Sequence, residues 1–176
     1  MSVAAFQPAA IIYREEQNFD WWAYALVVVV ELALWFAVAS CFETAPNHAA
    51  PTLLGSLERP LGLVVLALPV AILVGLLRMT TEVTPLVARV WFGWIPTYRR
   101  VVPIGTIQRL EVVSYRPLAD YWGWGIRSGR DGERVLNARG DRGVRLYLAD
   151  GSRLLIGSQR PEALALAIER AMRPSV

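Results

Sequence analysis

Lysine is missing from this 176-residue chain, and cysteine and histidine occur once each, as Cys41 and His48. A single cysteine excludes an intramolecular disulfide and any cysteine-based metal site, and a single histidine without a second ligand nearby offers no metal centre. Cys41 reads as small apolar packing and His48 as a loop residue. Because the one histidine falls outside the C-terminal half, no nucleophile, base and orienting group can be assembled. No catalytic residue, metal or cofactor is expected. All 18 basic residues are arginine, a bias that fits a GC-rich genome as well as any physical demand.

Long apolar runs, by contrast, are present. Trp21 to Phe42 and Leu61 to Leu77 are apolar stretches of 22 and 17 residues, split by a loop that contains Pro46 and Pro51. A bilayer core of roughly 30 Å needs about 20 helical residues, so both stretches pass a length test for membrane spans. Trp21, Trp22 and Tyr24 stand where interfacial rings are favoured, and Arg59 and Arg78 bracket the second stretch. Glu15, Glu16 and Asp20 lie where a signal peptide would have a basic start, so the N-terminus is expected to be retained. Arg14, Arg78 and Arg89 on one side against Arg59 on the other put both termini in the cytoplasm of a bacterial inner membrane.

The resulting expectation is an N-terminal arm over residues 1–20, spans over 21–42 and 61–77, an extracytoplasmic loop over 43–60, and a domain over 79–176. Charge divides the same way. Residues 1–78 carry net −3 and residues 79–176 net +6, the latter with fifteen arginines.

Past the second stretch the hydrophobic period shortens. Met79 to Thr84, Leu86 to Trp94, Tyr98 to Val102, Ile107 to Tyr115, Gly123 to Arg127, Arg134 to Ala138, Val144 to Leu148 and Arg153 to Gly157 are short runs rich in Val, Ile, Thr and aromatics, many separated by Pro or Gly. Ala149-Asp150-Gly151-Ser152 is the clearest hairpin turn, since Asp-Gly supplies positive φ. Pro161, Glu162, Leu164, Ile168 and Met172 then describe an amphipathic terminal helix. Strands closed by one helix suggest a small antiparallel barrel or sandwich.

Several motifs carry a resemblance: Tyr13-Arg14-Glu15-Glu16-Gln17, Thr81-Glu82-Val83-Thr84, Val102-Pro103-Ile104 leading to Ile107, Tyr121-Trp122-Gly123-Trp124-Gly125-Ile126-Arg127, Arg139-Gly140-Asp141-Arg142-Gly143-Val144-Arg145-Leu146, and Ile156-Gly157-Ser158-Gln159-Arg160-Pro161-Glu162. Together these resemble bacterial membrane-anchored PH-like (bPH) domain proteins. The resemblance implies membrane α plus soluble β: a two-helix transmembrane hairpin followed by a PH-like antiparallel β-barrel or sandwich capped by a C-terminal α-helix. A phosphoinositide site does not carry over, because Met79 to Trp94 holds Arg89 as its sole basic residue.

Two sets of residues are candidates for interaction. Glu31 lies near the middle of the first stretch, where an ionisable group wants a partner. Ala33, Ala37 and Cys41 form one small-residue ridge and Ala67, Ala71 and Gly75 another, a pattern that lets helices approach closely. Glu31 either points away from packed ridges or satisfies the Val65 carbonyl that Pro69 leaves free. Arg127, Arg130, Arg139, Arg142 and Arg145 are the second set, a candidate basic face toward anionic lipid.

Two functions follow. One is a non-catalytic accessory or scaffold subunit of a larger membrane protein complex, such as a respiratory or photosynthetic reaction-centre and antenna assembly. The other is a lipid-responsive or signalling module whose partner is membrane lipid. Nucleic acid is not an expected partner.

Overall fold

The computed structural model of the chain describes residues 10–43, 67, 70, 71, 73, 75–129 and 131–173. It divides into two compact units, residues 20–77 and a β-unit made of residues 1–19 together with 78–176.

The expected membrane hairpin is not found among the described residues. Among the described residues no helix is long and apolar enough to cross a membrane. Helix α1 (Trp21–Glu43) takes up the first apolar stretch, with the carboxylate Glu31 inside it. Of residues 61–77, only 67, 70, 71, 73 and 75–77 are described, and Ala67, Ala71 and Gly75 stand at helical positions. The length test gave no weight to an ionisable group, and Glu31 stands midway along α1, where a bilayer core makes a carboxylate costly. The two-span fold, the inner-membrane placement and the cytoplasmic topology are corrected accordingly: the chain is β-rich, with two sheets. His48, Arg59 and Val65 lie outside the described residues, as does the side chain of Cys41.

In the β-unit, the alternation of apolar residues becomes strands. β1 (Tyr13–Asn18), β2 (Arg78–Val83), β3 (Val87–Phe92) and β4 (Tyr98–Pro103) form an antiparallel sheet in that order. β5 (Ile107–Ser114), β6 (Gly125–Ser128), β7 (Arg134–Asn137), β8 (Arg142–Leu148) and β9 (Arg153–Gly157) form the second, ordered β5-β8-β9-β7-β6. Each of the eight expected runs carries a strand, displaced at its ends by at most two residues. The expected arm over residues 1–20 contains β1, a ninth strand. Its sequence, YREEQN, lacks apolar alternation.

One core joins both sheets. Met79, Val83, Ala88, Val90 and Phe92 from the first sheet meet Leu136, Val144, Leu146, Leu154 and Ile156 from the second. The terminal helix α3 (Pro161–Met172) adds Leu164 and Ile168, both fully buried. Pro161 at its first position sets a helical φ where no hydrogen bond is owed.

Between β5 and β8 the chain makes an excursion. It leaves the β5 edge and forms the short helix α2 (Pro117–Tyr121). It then adds β6 and β7 beyond β9, with β7 running parallel to β9. Tyr115, Tyr121, Val135 and Leu155, with Val113, make a second small core on the other face of this sheet.

β8 and β9 approach closely at two glycines. A Cβ on Gly143 would stand 2.4 Å from the Ile156 carbonyl oxygen, a backbone atom that cannot rotate away. Gly105, by contrast, has nothing within 4 Å of such a carbon. Gly143→Ala is expected to cost about 2 kcal/mol or more, in the range of overpacked core sites, and Gly105→Ala close to none. Thermal unfolding of the two variants checks this, and equal melting temperatures would contradict the packing described.

Candidate functional site

The α2 excursion shapes a cleft of about 390 Å³, lined in part by Asp120, Tyr121, Asp131, Glu133, Arg145 and Arg153. Asp120 accepts from the Arg116 backbone N–H at 2.8 Å and so tightens the entry to α2. The helix ends at Trp122, whose φ of 61° is left-handed, and Gly123 closes the turn by donating to the Pro117 carbonyl at 2.9 Å. A bulky residue in this region is strained and requires its surroundings to hold it. Leu118 and Trp122 are left exposed, Trp122 at 81%.

The floor of the cleft is a chain of polar contacts. Buried Glu133 accepts from the Tyr121 hydroxyl at 2.7 Å and from Arg145 Nε at 2.5 Å. Arg145 reaches across to Glu111 at 3.1 Å, and the Tyr147 hydroxyl donates to the same Glu111 oxygen at 2.6 Å. Arg109 pairs with Glu111 at 3.2 Å and stacks over the Tyr147 ring. Strand register explains the assembly. Glu111 lies opposite Arg145 and Arg109 opposite Tyr147, so all four share one face of the sheet.

This wiring fixes protonation. Burial, and then the hydrogen bond to Glu133, push the Tyr121 hydroxyl up to about 12. The Tyr147 hydroxyl, then Arg145, hold Glu111 below the usual carboxylate range. Burial opposes the charge on Arg145, but its bonds to Glu133 and Glu111 outweigh it and raise its pKa further. Tyr121, Glu111 and Arg145 are thus each committed to a neighbour.

The arginines grouped from sequence as one basic face are dispersed. Arg145 belongs to the network above. Arg142, three residues earlier on β8 and on the opposite face, pairs with Glu162. Arg127 donates to the Trp124 carbonyl at 3.0 Å. Arg139 lines a separate cavity with Arg142, Ser158 and Gln159. Arg130 lies outside the described residues. The Glu133, Tyr121 and Arg145 cluster was missed in the sequence because its members are far apart in the chain. The alternating charges Arg109-x-Glu111 and Arg145-x-Tyr147 were its one signal, and without register they could not be joined.

In the other unit, the Glu31 carboxyl has one buried oxygen without a hydrogen-bond partner. Ala33, Ala37, Ala67 and Ala71 are exposed and Gly75 is half-buried. Around them α1 exposes Leu26, Val28, Val29, Val30, Leu32, Leu34, Trp35 and Phe36, with Phe36 at 71%. Among the described residues no group of three or more His, Cys, Asp or Glu could hold a metal ion. No family model matches the sequence, and no curated protein matches it.

The tyrosines give a pH prediction. Tyr13 and Tyr121 both sit above the ordinary value of 10.0, at about 12. A raised pKa means the folded state keeps a proton that the unfolded state has lost. The stabilisation is therefore complete below pH 10 and drains away as pH rises from 10 toward about 12. Unfolding midpoints across that window are expected to fall, and to fall less in Tyr13→Phe/Tyr121→Phe. A double variant with an unchanged slope would contradict the assignment.

Proposed function

We propose that the chain is a non-catalytic accessory subunit, in which α1 packs against the apolar helices of a partner protein and the β-unit serves as a PH-like docking module. The observation that carries this is the exposure of ten large apolar side chains among the described residues of α1, Trp21, Trp22, Leu26, Val28, Val29, Val30, Leu32, Leu34, Trp35 and Phe36. Covering each contributes about 1.5 kcal/mol or more, so a helix left this way in water forgoes a large stabilisation. Contiguous exposed apolar surface of this extent marks an interaction site. Ala33 and Ala37 lie one turn apart and permit close approach by a second helix, while Glu31 offers a polar contact that its own side chain lacks in part.

The PH-like reading rests on two sheets and a single terminal helix around one core, in the chain order that the sequence motifs suggested. The polar groups of the cleft beside α2 are tied to one another, which supports docking over turnover. Exposed Trp122 and Leu118 give the β-unit an apolar contact of its own, with Arg116 and Arg127 nearby in the chain. Tryptophan and arginine are the residues most enriched at the energetic centres of interfaces.

Expressed in its own host, the chain is expected to elute within an assembly far heavier than its 19.6 kDa. Val29→Ser/Leu32→Ser/Phe36→Ser, which alters one face of α1, should release it while the β-unit keeps its unfolding midpoint. Elution of the unaltered chain near its own mass, or an unaffected assembly in the triple variant, would refute the reading.

A further inference from the structure

The outward face of the first sheet carries a cavity that the proposed docking role does not use. Register places Arg14, Glu82 and Arg89 in one row across β1, β2 and β3, and Thr80, Trp91 and Arg99 in the next row across β2, β3 and β4. Arg14, Glu82, Arg89, Trp91, Pro96 and Arg99 line a hollow of about 300 Å³. That volume is at the lower end for small-molecule sites, with room for one ring and one charged group.

Charge in the hollow is unbalanced. Three guanidiniums surround one carboxylate, and Glu82 lies 3.6 Å from Arg89 and 3.9 Å from Arg14, both beyond a good hydrogen bond. Arg14 spends its closer bonds on Glu16, at 2.8 and 3.2 Å. The Nε–H of Arg89 is buried without an acceptor. Arg99 is exposed, and among the described residues it has no hydrogen bond or ion pair. A buried donor without an acceptor costs about 1 to 3 kcal/mol, so an incoming oxygen gains by meeting it. Guanidinium forks match the paired oxygens of phosphate and carboxylate, and the Trp91 indole beside them supplies an apolar wall.

We propose that this hollow binds a free aromatic oxyanion, a phosphate or carboxylate group carried on a flat ring, with Arg89 and Arg99 holding the oxygens and the ring resting on Trp91. The occupant is recognised by two contacts at once. Neither the anion alone nor the ring alone supplies both.

Calorimetric titration of the full chain at low ionic strength tests this with phenyl phosphate, benzoate, inorganic phosphate and phenol. Phenyl phosphate or benzoate is expected to saturate at one per chain, and inorganic phosphate and phenol to bind about tenfold more weakly or worse. Arg99→Gln should weaken phenyl phosphate about tenfold without moving the melting temperature, because the Arg99 side chain has no hydrogen bond or ion pair among the described residues. Arg89→Gln leaves Glu82 less compensated and can unfold the sheet, so Trp91→Leu is the second variant. It should erase the preference for phenyl phosphate over inorganic phosphate. Absence of saturable binding, equal affinity for phenol, or an Arg99→Gln variant that binds as before would overturn the proposal.

Discussion

The buried carboxylate of Glu15 is the constraint on which the β-unit depends. It is 5% exposed and accepts from the Tyr13 hydroxyl at 2.7 Å, the Ser158 hydroxyl at 2.6 Å and the Gln159 backbone N–H at 2.9 Å. A carboxylate away from water is tolerated only when donors replace its hydration, and here all three lie on two segments some 140 residues apart. Gln17, two residues on and facing the same way, donates to the Gly157 carbonyl at 2.9 Å. A polar strand is thereby made part of an interior that apolar alternation alone would have left open at the β2 edge.

The same clasp explains how the chain is divided. Asn18 pairs with Arg78, so the segment over residues 20–77 leaves and rejoins the sheet at neighbouring positions. Thermodynamically it is a long insertion in a hairpin, and loop closure grows only slowly with length. The Tyr115 to Arg139 excursion is a second insertion. It extends the other sheet by a hairpin and lays α2 across a face that would otherwise be bare. Gly157 serves both ends of this design. A side chain there would meet the Asn137 Cβ at 2.7 Å and the Tyr115 hydroxyl at 2.9 Å.

Period-2 alternation and turn residues made eight strands and the terminal helix legible in the sequence, because Val87 to Phe92 and Leu164 with Ile168 bury themselves by pattern alone. β1 was illegible because Glu15 and Gln17 face inward through hydrogen bonds to partners that no local pattern announces. The apolar stretches misled for a different reason: a count of apolar residues gives no weight to an ionisable group such as Glu31 midway along α1, and among the described residues no helix is long and apolar enough to cross a membrane. Among the arginines, Arg142 and Arg145 are close in sequence, yet an odd spacing on a strand sends them to opposite faces. The cluster of Glu133, Arg145, Tyr121 and Glu111 is a product of register, which sequence does not display.

Native-state amide hydrogen exchange on the full chain tests the central claim most directly, that residues 13–18 form a strand of the β-unit held by Glu15. The paired amides of β1 and the Gln159 amide are expected to be protected to the same order as those of β2 and β3, and to lose much of that protection in Glu15→Ala. Exchange of the β1 amides at the rate of an unstructured peptide in the unaltered chain would contradict it.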